Sequence, residues 1–473
     1  MPQMPFDIGC VHFIGIGGIG MSAIAEVMQT LGYQVQGSDL SRNANVQRLE
    51  ALGITVFEGQ SPENLEKARV CVISSAIRQD NVELKEARRI GIPVVRRAEM
   101  LAELMRLRWC VSVAGTHGKT TTTSMVGAVL AKGGVDPTII NGGIINQYGT
   151  NARLGTSDWM VVEADESDGT FVKLPATLAV VTNLDPEHLD FYGDFETERQ
   201  AFRQFLDRVP FYGAAILCVD HPEVQALIPS LQDRRVVTYG LSPLADVQAI
   251  NITSKAGGTR FDVRARRGFD EDDLLLEGVT LPLPGKHNIQ NGLAAIAVGL
   301  EMRLDTNLIR DAFTDFAGVK RRFTKVGQHN GAVLIDDYGH HPVEIAATLS
   351  AARDSFDGQV VAVMQPHRYT RLQTLWEDFC TAFNAADRVI VTPVFEAGED
   401  PIEGVSHAHL CDALRTHGHR DVDTAETPDD VAKAIRNTVT DGDCVVFLGA
   451  GSITKWANDM ETLLQEAPAG GVS

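Results

Sequence analysis

The feature that most restricts the fold of this chain is an apolar strand that runs into a glycine-rich turn and then into a helix. Its clearest instance is the strand Cys110–Ala114, followed by the loop Gly115-Thr-His-Gly-Lys-Thr120 and a helix that ends near Gly133. Units of this kind build parallel sheets and present their loops at the carboxyl ends of the strands. The sequence therefore predicts an α/β protein whose ligands bind at those loops.

The same rhythm starts again before and after this unit, and 473 residues are enough for about three domains. We predict a Rossmann-like domain over residues 1–108, a central P-loop ATPase-type α/β domain over 109–320, and a C-terminal Rossmann-like α/β domain over 321–473. Between about Val247 and Leu283, polar and apolar residues alternate, which predicts antiparallel hairpins that cover one side of the central domain.

Composition excludes several classes of protein. The 42 basic and 62 acidic residues give a net charge of −20, which disfavours binding to nucleic acid. No apolar run reaches the ~20 residues of a membrane helix, and the first residues lack the basic region of a secretory signal. Seven scattered cysteines form no C-x-x-C pair and are expected to be reduced. We expect a cytoplasmic protein, and either a monomer or a homodimer.

The first glycine-rich turn, Gly15-x-Gly17-x-x-Gly20 with Asp39 further on, matches the fingerprint of a dinucleotide site. Such glycines let backbone N–H groups approach a diphosphate, and the acid can bind ribose hydroxyls. By itself the motif leaves three interpretations open: an NAD site, a site for another nucleotide diphosphate, or a structural turn.

The second turn is more specific, because it places a lysine and a hydroxyl where a phosphate cradle needs them. Backbone amides would hold phosphates, Lys119 would neutralise charge on the β and γ groups, and the Thr120 hydroxyl would bind Mg²⁺. The usual P-loop has a glycine where this chain has Val113, which indicates a shorter variant. A solvated glycine- and threonine-rich turn is the alternative.

Acidic segments follow the next strands of this domain. Glu163 stands directly after the apolar run Trp159–Val162, as an acid that meets metal-bound phosphate should. His188 lies in the acidic segment after Leu178–Thr182 and could bind a second metal ion. A capping or solvated role is the alternative for the other acids.

Two further groups of polar residues stand at strand ends or helix starts. The segment Gly285-Lys-His-Asn288 with Asn291 opens a helix, where its amides either cap the helix or recognise a base. In the third domain, Asp337-Tyr-Gly-His340 and His367-Arg368 with Arg371 each follow an apolar strand. Paired arginines could clamp a carboxylate, or could be exposed and salt-bridged.

Together these motifs resemble those of the Mur ligase family over nearly the whole chain. The segments that carry the resemblance are Gly15–Ser22, Gly115–Thr121, Glu163–Asp168, Gly285–Asn288, Val319–Phe323 and Asp337–Pro342. The family uses a shortened P-loop, which accounts for Val113. The resemblance is strongest to the members that join L-alanine to UDP-N-acetylmuramic acid.

The resemblance implies a role for each matching residue. The UDP end of UDP-N-acetylmuramic acid would be bound by Gly15, Gly17, Gly18, Ile19, Gly20, Asp39, Ser74 and Ser75. ATP would be bound by Gly115, Thr116, His117, Gly118, Lys119, Thr120, Thr121, Asn288, Asn291, Arg322 and Asp337. Mg²⁺ would be held by Thr120, Glu163 and His188. L-alanine would be surrounded by Tyr338, His340, Arg368 and Arg371, and the catalytic residues would be Lys119, His188 and Arg322.

The implied reaction is an ATP-driven ligation in the synthesis of cell-wall precursors. Some relatives hold a second metal ion with a carbamylated lysine, but the stretch Phe195–Arg203 after His188 contains no lysine, so we expect no such modification. The nearest alternative is a recycling ligase that attaches a whole tripeptide to the same nucleotide. More distant alternatives are an NAD-dependent dehydrogenase and a nucleotide-binding regulator without catalysis.

Overall fold

The computed structural model describes Met4 and residues 7–255, 258–266 and 273–465. These residues form three sheets of five, ten and six strands. The chain divides into two compact units. The first consists of Met1–Ile250, Asp262–Val279 and Gln290–Ala317, and the second of Asn251–Phe261, Thr280–Ile289 and Gly318–Ser473. Helices alternate with mostly parallel strands, which confirms the predicted α/β class.

The five-stranded sheet is parallel and has the order β3-β2-β1-β4-β5. Order reverses between β1 and β4, so the loops after these two strands open a crevice at one sheet edge. Its strands are β1 (Cys10–Ile14), β2 (Val35–Asp39), β3 (Thr55–Glu58), β4 (Ala68–Ile73) and β5 (Val94–Arg96), and its helices are α1 (Ile19–Thr30), α2 (Ala44–Ala51), α3 (Val82–Ile90) and α4 (Arg97–Arg106).

The ten-stranded sheet places β6 between β10 and β9, so the loops after these three strands meet at one edge. Its strands are β6 (Trp109–Ala114), β7 (Thr138–Ile145), β8 (Thr150–Arg153), β9 (Trp159–Glu163), β10 (Leu178–Val181), β11 (Ala214–Cys218), β12 (Val236–Gly240), β13 (Val247–Lys255), β14 (Gly258–Ala265) and β15 (Leu274–Leu281). The accompanying helices are α5 (Lys119–Lys132), α6 (Leu189–Tyr192), α7 (Phe195–Asp207), α8 (Pro222–Leu227), α9 (Lys286–Glu301) and α10 (Thr306–Asp311).

The segment with alternating polarity forms β13, β14 and β15, which extend the ten-stranded sheet beyond β12. Strand β13 pairs with β12 through Tyr239 and Val247, and so satisfies backbone groups that an uncovered edge would leave open. Alternation along β14 buries Phe261 and Val263, which shows that only one face of this extension is packed.

The six-stranded sheet has the order β16-β17-β21-β18-β19-β20, and only the β16–β17 pair is antiparallel among its pairs. Its strands are β16 (Thr324–His329), β17 (Ala332–Asp337), β18 (Val360–Met364), β19 (Arg388–Val391), β20 (Val422–Thr424) and β21 (Cys444–Leu448). Its helices are α11 (Pro342–Ser355), α12 (Tyr369–Thr374), α13 (Trp376–Thr381), α14 (His407–Thr416), α15 (Pro428–Ile435) and α16 (Ile453–Gln465).

Strands β11, β18 and β21 are buried along their whole length, as a sheet covered by helices on both faces requires. Among the described residues, no helix combines the length and the apolar character needed to cross a bilayer.

Candidate active site

The loop between β6 and α5 has the backbone of a phosphate cradle. Gly115 and Gly118 have φ angles of +130° and +80°, which a residue with a side chain rarely adopts. Gly118 also caps α5, so the open N–H groups of the first helical turn face the loop. The loop has the partial positive charge that an anionic ligand needs.

Lys119 lies at the centre of this loop. Its Nζ donates hydrogen bonds to the carbonyls of Gly115 (2.7 Å) and Thr116 (3.1 Å) and to Oε1 of Glu166 (2.7 Å). Burial by itself would lower the pKa of Lys119, but the charges of Glu166, Asp165 and Glu163 outweigh it and raise that pKa. Lys119 is therefore an ammonium at every pH in the working range.

Thr120 and Glu163, two of the residues predicted to hold Mg²⁺, are in contact. The Thr120 hydroxyl donates to Oε1 of Glu163 at 3.2 Å, and the backbone N–H of Gly142 donates to Oε2 at 2.7 Å. A Cβ on Gly142 would lie 2.5 Å from the carboxylate, so a side chain there would displace Glu163 from this position. A hydroxyl and a carboxylate in contact are an oxygen donor set of the kind that Mg²⁺ prefers.

His188 lies beside a different carboxylate. Its Nε2 is 3.9 Å from Oε1 of Glu166. Glu166, Glu187 and His188 offer possible metal-ligating atoms within 4.8 Å of one another. Glu166 is fully buried and its Oε2 has no hydrogen-bond partner, which fits a position that accepts a cation. Burial raises the pKa of Glu166 to about 7.

Glu198 on α7 is a second fully buried carboxyl near this cluster. Its Oε2 accepts the backbone N–H of Glu187 at 3.3 Å, and burial raises the pKa of Glu198 to about 8. The folded state thus holds this proton more tightly than the unfolded state. The free energy of unfolding should therefore fall as the pH rises from the ordinary carboxyl range towards 8.

Glu198→Gln removes this dependence because the amide stays neutral. We expect a higher Tm than wild type at pH 8, corresponding to ~2 kcal/mol, and a much smaller difference near pH 5. Calorimetry at both pH values measures it. Glu196→Gln, on an exposed position of the same helix, is the matched control and should change little. A Tm gain of equal size at both pH values would contradict the expectation.

The loop after β10 supports the phosphate loop in a way that sequence reasoning missed. Asn183 Oδ1 accepts the N–H of His117 at 2.7 Å, and Thr182 Oγ1 donates to the His117 carbonyl at 2.7 Å. Nε2 of His117 and Nε2 of His221 lie 3.4 and 3.3 Å from the two oxygens of Asp185. Although burial acts against it, contact with the two imidazoles holds the pKa of Asp185 well below its usual range.

The first glycine turn lies at the β1/β4 crevice. Gly15 has φ +75°, and the N–H of Gly17 donates to Oδ2 of Asp39 at 2.8 Å. A Cβ on Gly17 would lie 2.8 Å from Asn43 Nδ2, so the turn requires glycine. Gly18 caps α1, and the next residues Ile19 and Gly20 open that helix. The N–H groups that lack an intrahelical partner are thus those of the first turn of α1, which begins at this glycine turn.

Other predicted substrate residues surround the same crevice. Ser74 and Ser75 directly follow β4, the strand beside β1. A cavity of ≈ 230 Å³ opens at the carboxyl ends of β2 and β3, with Asp39, Arg42 and Phe57 among its lining residues. Asp39 belongs both to this cavity and to the first glycine turn, so the cavity adjoins that turn.

Arg97, at the start of α4, lies beside both the first glycine turn and the acidic segment that follows β9, and was not singled out from the sequence. Its Nη1 lies 3.1 Å from the position that a Cβ on Gly20 would take, and its Nη2 is 3.3 Å from Oδ2 of Asp165. Asp165 lies between Glu163 and Glu166. Because Arg97 is 68 residues away from Asp165 in sequence, no local pattern shows this contact.

Helix α9 carries the two asparagines predicted to recognise a base. Oδ1 of Asn291 accepts the Thr122 hydroxyl at 3.0 Å and lies 2.7 Å from the position of a Cβ on Gly118. Asn291 therefore contacts the phosphate loop and its helix. Nδ2 of Asn288 donates to the Pro284 carbonyl at 2.7 Å, so this side chain bonds the backbone just before the helix.

In the second unit, Tyr338 and His340 lie together; both were predicted to bind L-alanine. Their ring centroids are 5.1 Å apart, and the His340 ring is 5.8 Å from the ring of His367. Arg368, which directly follows His367, has φ +69°, so its backbone is held in the left-handed region at the start of α12. Arg371 follows on the same helix.

Asp337 and Arg322 have contacts within the second unit. The oxygens of Asp337 accept backbone N–H groups of Phe323 and Gly339, both at 2.8 Å, so this buried carboxylate organises its own loop. Nη1 of Arg322 lies 3.7 Å from Oε1 of Glu344, and its guanidinium lies 5.2 Å from the Tyr338 ring centroid. The roles of both residues towards ATP stay predictions.

Comparison with protein families gives three matches in chain order. Residues 10–109 match the Mur ligase family catalytic domain, residues 113–299 match the Mur ligase middle domain, and residues 321–451 match the Mur ligase glutamate ligase domain. Similar curated proteins include the UDP-N-acetylmuramate–L-alanine ligase of Rhodospirillum centenum, which is 61% identical over 97% of this chain and 95% of that protein. The Rhodospirillum rubrum protein of the same name is 57% identical over 98% and 97%.

Solved structures agree. The UDP-N-acetylmuramate–alanine ligase of Thermotoga maritima has a TM-score of 0.79 at 28% identity and covers 97% of this chain and 99% of its own. A murein peptide ligase of Psychrobacter arcticus has a TM-score of 0.70 at 24% identity, covers 98% and 100%, and shares the fold. The fold that holds the two glycine turns, the lysine and the acids at the end of β9 is thus a known one, and this chain belongs to the Mur ligase family.

Proposed function

We propose that this chain joins L-alanine to the lactyl carboxylate of UDP-N-acetylmuramic acid, and that ATP is converted to ADP and phosphate in the process. The proposal is supported by relatives with this activity in their names, at about 60% identity over nearly the full chain. The structural observation that carries it lies in the phosphate loop. Lys119 contacts Glu166 and Thr120 contacts Glu163, and these two acids stand at the end of β9 and just after it.

The division of labour follows the three predicted domains. Residues 1–108 bind the UDP end at Gly15–Gly20, Asp39 and Ser74-Ser75. Residues 109–320 provide most of the ATP site, and residues 321–473 add Arg322 and Asp337 to it. Residues 321–473 also bind L-alanine through Tyr338, His340, Arg368 and Arg371. Both UDP-N-acetylmuramic acid and ATP are cytoplasmic metabolites, so we place the reaction in the cytoplasm. It supplies a precursor for peptidoglycan.

The chemistry has two steps. A carboxylate is a poor electrophile, so a lactyl carboxylate oxygen first attacks the γ-phosphorus of ATP, the bond to the ADP oxygen breaks, and an acyl phosphate forms. The neutral amine of L-alanine then attacks the acyl carbon, phosphate leaves with the C–O bond pair, and the nitrogen loses a proton to form the amide. Lys119 stabilises negative charge on the phosphoryl group, in the loop whose glycines orient the backbone N–H groups.

Mg²⁺ fits this site. Thr120 and Glu163 would hold it through oxygen atoms, and His188 with Glu166 would provide a second position. When bound, such an ion neutralises phosphate charge. The buried Oε2 of Glu166, which lacks a hydrogen bond, is the observation that favours a cation there.

The arginines of α12 give a prediction for the amino-acid site. Arg371→Ala should raise the KM for L-alanine by ~10- to 100-fold, because a guanidinium–carboxylate contact of ~1.5–3 kcal/mol is lost. The KM values for ATP and UDP-N-acetylmuramic acid should change little. Steady-state kinetics with each substrate varied in turn measures this. Arg420→Ala, on an exposed position of the same unit, is the control. Equal increases in all three KM values would contradict the assignment.

A phosphate-release assay tests the overall proposal. It combines UDP-N-acetylmuramic acid and ATP with L-alanine, glycine, L-serine, or the tripeptide used by recycling ligases. We expect turnover to be fastest with L-alanine. A preference for the tripeptide would support the recycling ligase instead, a possibility that the fold alone leaves open because a murein peptide ligase shares it.

A further inference from the structure

His117 and Gly118 are consecutive residues of the phosphate loop. Asp185 lies beside the first and Asn291 beside the second, and both of these contacts can be followed back to one dipeptide. The dipeptide is Asp220-His221, in the turn between β11 and α8. It lies in the same compact unit as the phosphate loop. Neither residue has a part in the site as described so far beyond the contact of His221 with Asp185.

The first line of contact passes through Asp185. Nε2 of His221 lies 3.3 Å from Oδ1 of Asp185, and Nε2 of His117 lies 3.4 Å from Oδ2. The backbone N–H of Asp185 donates to Thr116 Oγ1 at 2.8 Å, and that hydroxyl is 3.2 Å from the Asp185 carbonyl. Asp185 thus hydrogen-bonds Thr116 and lies beside the His117 ring, and His221 contacts the other oxygen of its carboxylate.

The second line of contact passes through helix α9. Oδ2 of Asp220 accepts Nε2 of Gln290 at 2.7 Å. Backbone N–H groups of Leu241 and Ser242 also donate to this carboxylate, at 2.7 and 2.8 Å, so its position is well determined. The residue after Gln290 is Asn291, whose Oδ1 lies against Gly118.

We propose that Asp220 and His221 are positioning residues of the nucleotide site. Together they orient the phosphate loop to bind the triphosphate: His221 acts through Asp185, and Asp220 acts through Gln290. This inference rests on the proposed ATP site. A phosphate loop gives strong binding only when its N–H groups are already oriented, since reorganisation reduces the gain. Because both sets of contacts start at the turn that holds Asp220 and His221, they restrain His117 and Gly118 together.

A merely structural turn at the end of β11 would predict something different. Loss of its contacts would lower stability and affect all substrates alike. A positioning role predicts weaker ATP binding, an unchanged affinity for UDP-N-acetylmuramic acid, and recovery when a replacement side chain restores the lost donor. Glutamine can restore it at position 221, because its amide nitrogen can reach the place of the histidine Nε2.

The test uses the full chain with three variants, His221→Leu, His221→Gln and Gln290→Met. The matched control is Gln225→Met, an exposed glutamine on the neighbouring helix α8. Calorimetric titration with ATP in the presence of Mg²⁺ gives the Kd, a parallel titration gives that for UDP-N-acetylmuramic acid, and kinetics gives the three KM values.

We expect His221→Leu and Gln290→Met to raise the Kd for ATP by ~10- to 100-fold, the range seen when residues that orient metal ligands are replaced. His221→Gln and Gln225→Met should stay close to wild type. Should His221→Leu fail to fold, Gln290→Met decides, because its half-buried side chain can be replaced with little loss of packing. An unchanged Kd for ATP in folded Gln290→Met, or equal losses for both nucleotides, overturns the inference. If wild type itself fails to bind ATP, the proposed function fails instead.

Discussion

Lys119→Ala should lower ADP formation by at least ~10³-fold while the affinity for UDP-N-acetylmuramic acid is retained, because the variant removes the cation that faces the transferring phosphoryl group. The lysine makes three hydrogen bonds within the cradle, and none of them involves the first glycine turn. Rates come from an ADP-coupled assay, and nucleotide-sugar binding from calorimetry. Retained turnover would contradict the assigned ATP site.

A double variant separates the loss of activity in Lys119→Ala from a loss of stability. Removal of Lys119 leaves Glu166 buried without its cation, and breaking a buried pair costs ~3–5 kcal/mol when the remaining group stays charged. Lys119→Ala combined with Glu166→Gln removes both charges. We expect this double variant to regain much of the lost stability and none of the activity. Recovery of activity together with stability would show that Lys119 acts only in folding.

Glu163→Gln should have the second largest effect, a fall in kcat of ~10²- to 10³-fold together with a higher Mg²⁺ requirement. Glutamine has nearly the shape of glutamate and keeps an oxygen for the Gly142 N–H, so the loop should stay in place. The lost quantity is the negative charge next to Thr120. A magnesium titration of the initial rate measures both effects.

The outcome that would contradict this assignment is a wild-type magnesium curve in a folded Glu163→Gln variant. Glu277→Gln, on a strand position that is exposed and distant in sequence, serves as the control for loss of a glutamate charge. It should leave both kcat and the magnesium requirement unchanged.

Much of the fold could be predicted because buried parallel strands leave a strong local signal. The runs Val360–Met364, Arg388–Val391 and Cys444–Leu448 are strands with those same bounds. Glu163 could be placed beside the phosphate loop because β9 lies next to β6, and parallel neighbours end at the same edge. Strands β13–β15 were recognised by alternation, but their place in the sheet was not, since alternation does not specify which edge a strand joins.

The contacts that sequence reasoning missed join residues far apart in the chain. Arg97 reaches Asp165, Lys119 reaches Glu166, and His221 reaches Asp185. The local sequence does not indicate the partner in any of these three contacts, and that partner becomes evident only when the strand order is known. The local sequence likewise does not determine where a side chain points. Asp337 stands at the end of a strand as expected, yet its oxygens accept backbone N–H groups of its own loop.

The central claim is that the terminal phosphoryl group of ATP passes to the lactyl carboxylate. Substrate labelled with ¹⁸O in that carboxylate tests it directly, with mass analysis of the phosphate released during ligation of L-alanine. We expect one ¹⁸O atom to be transferred to phosphate in each turnover, because the acyl phosphate breaks at its C–O bond. Phosphate without label, formed while the amide product accumulates, would contradict it.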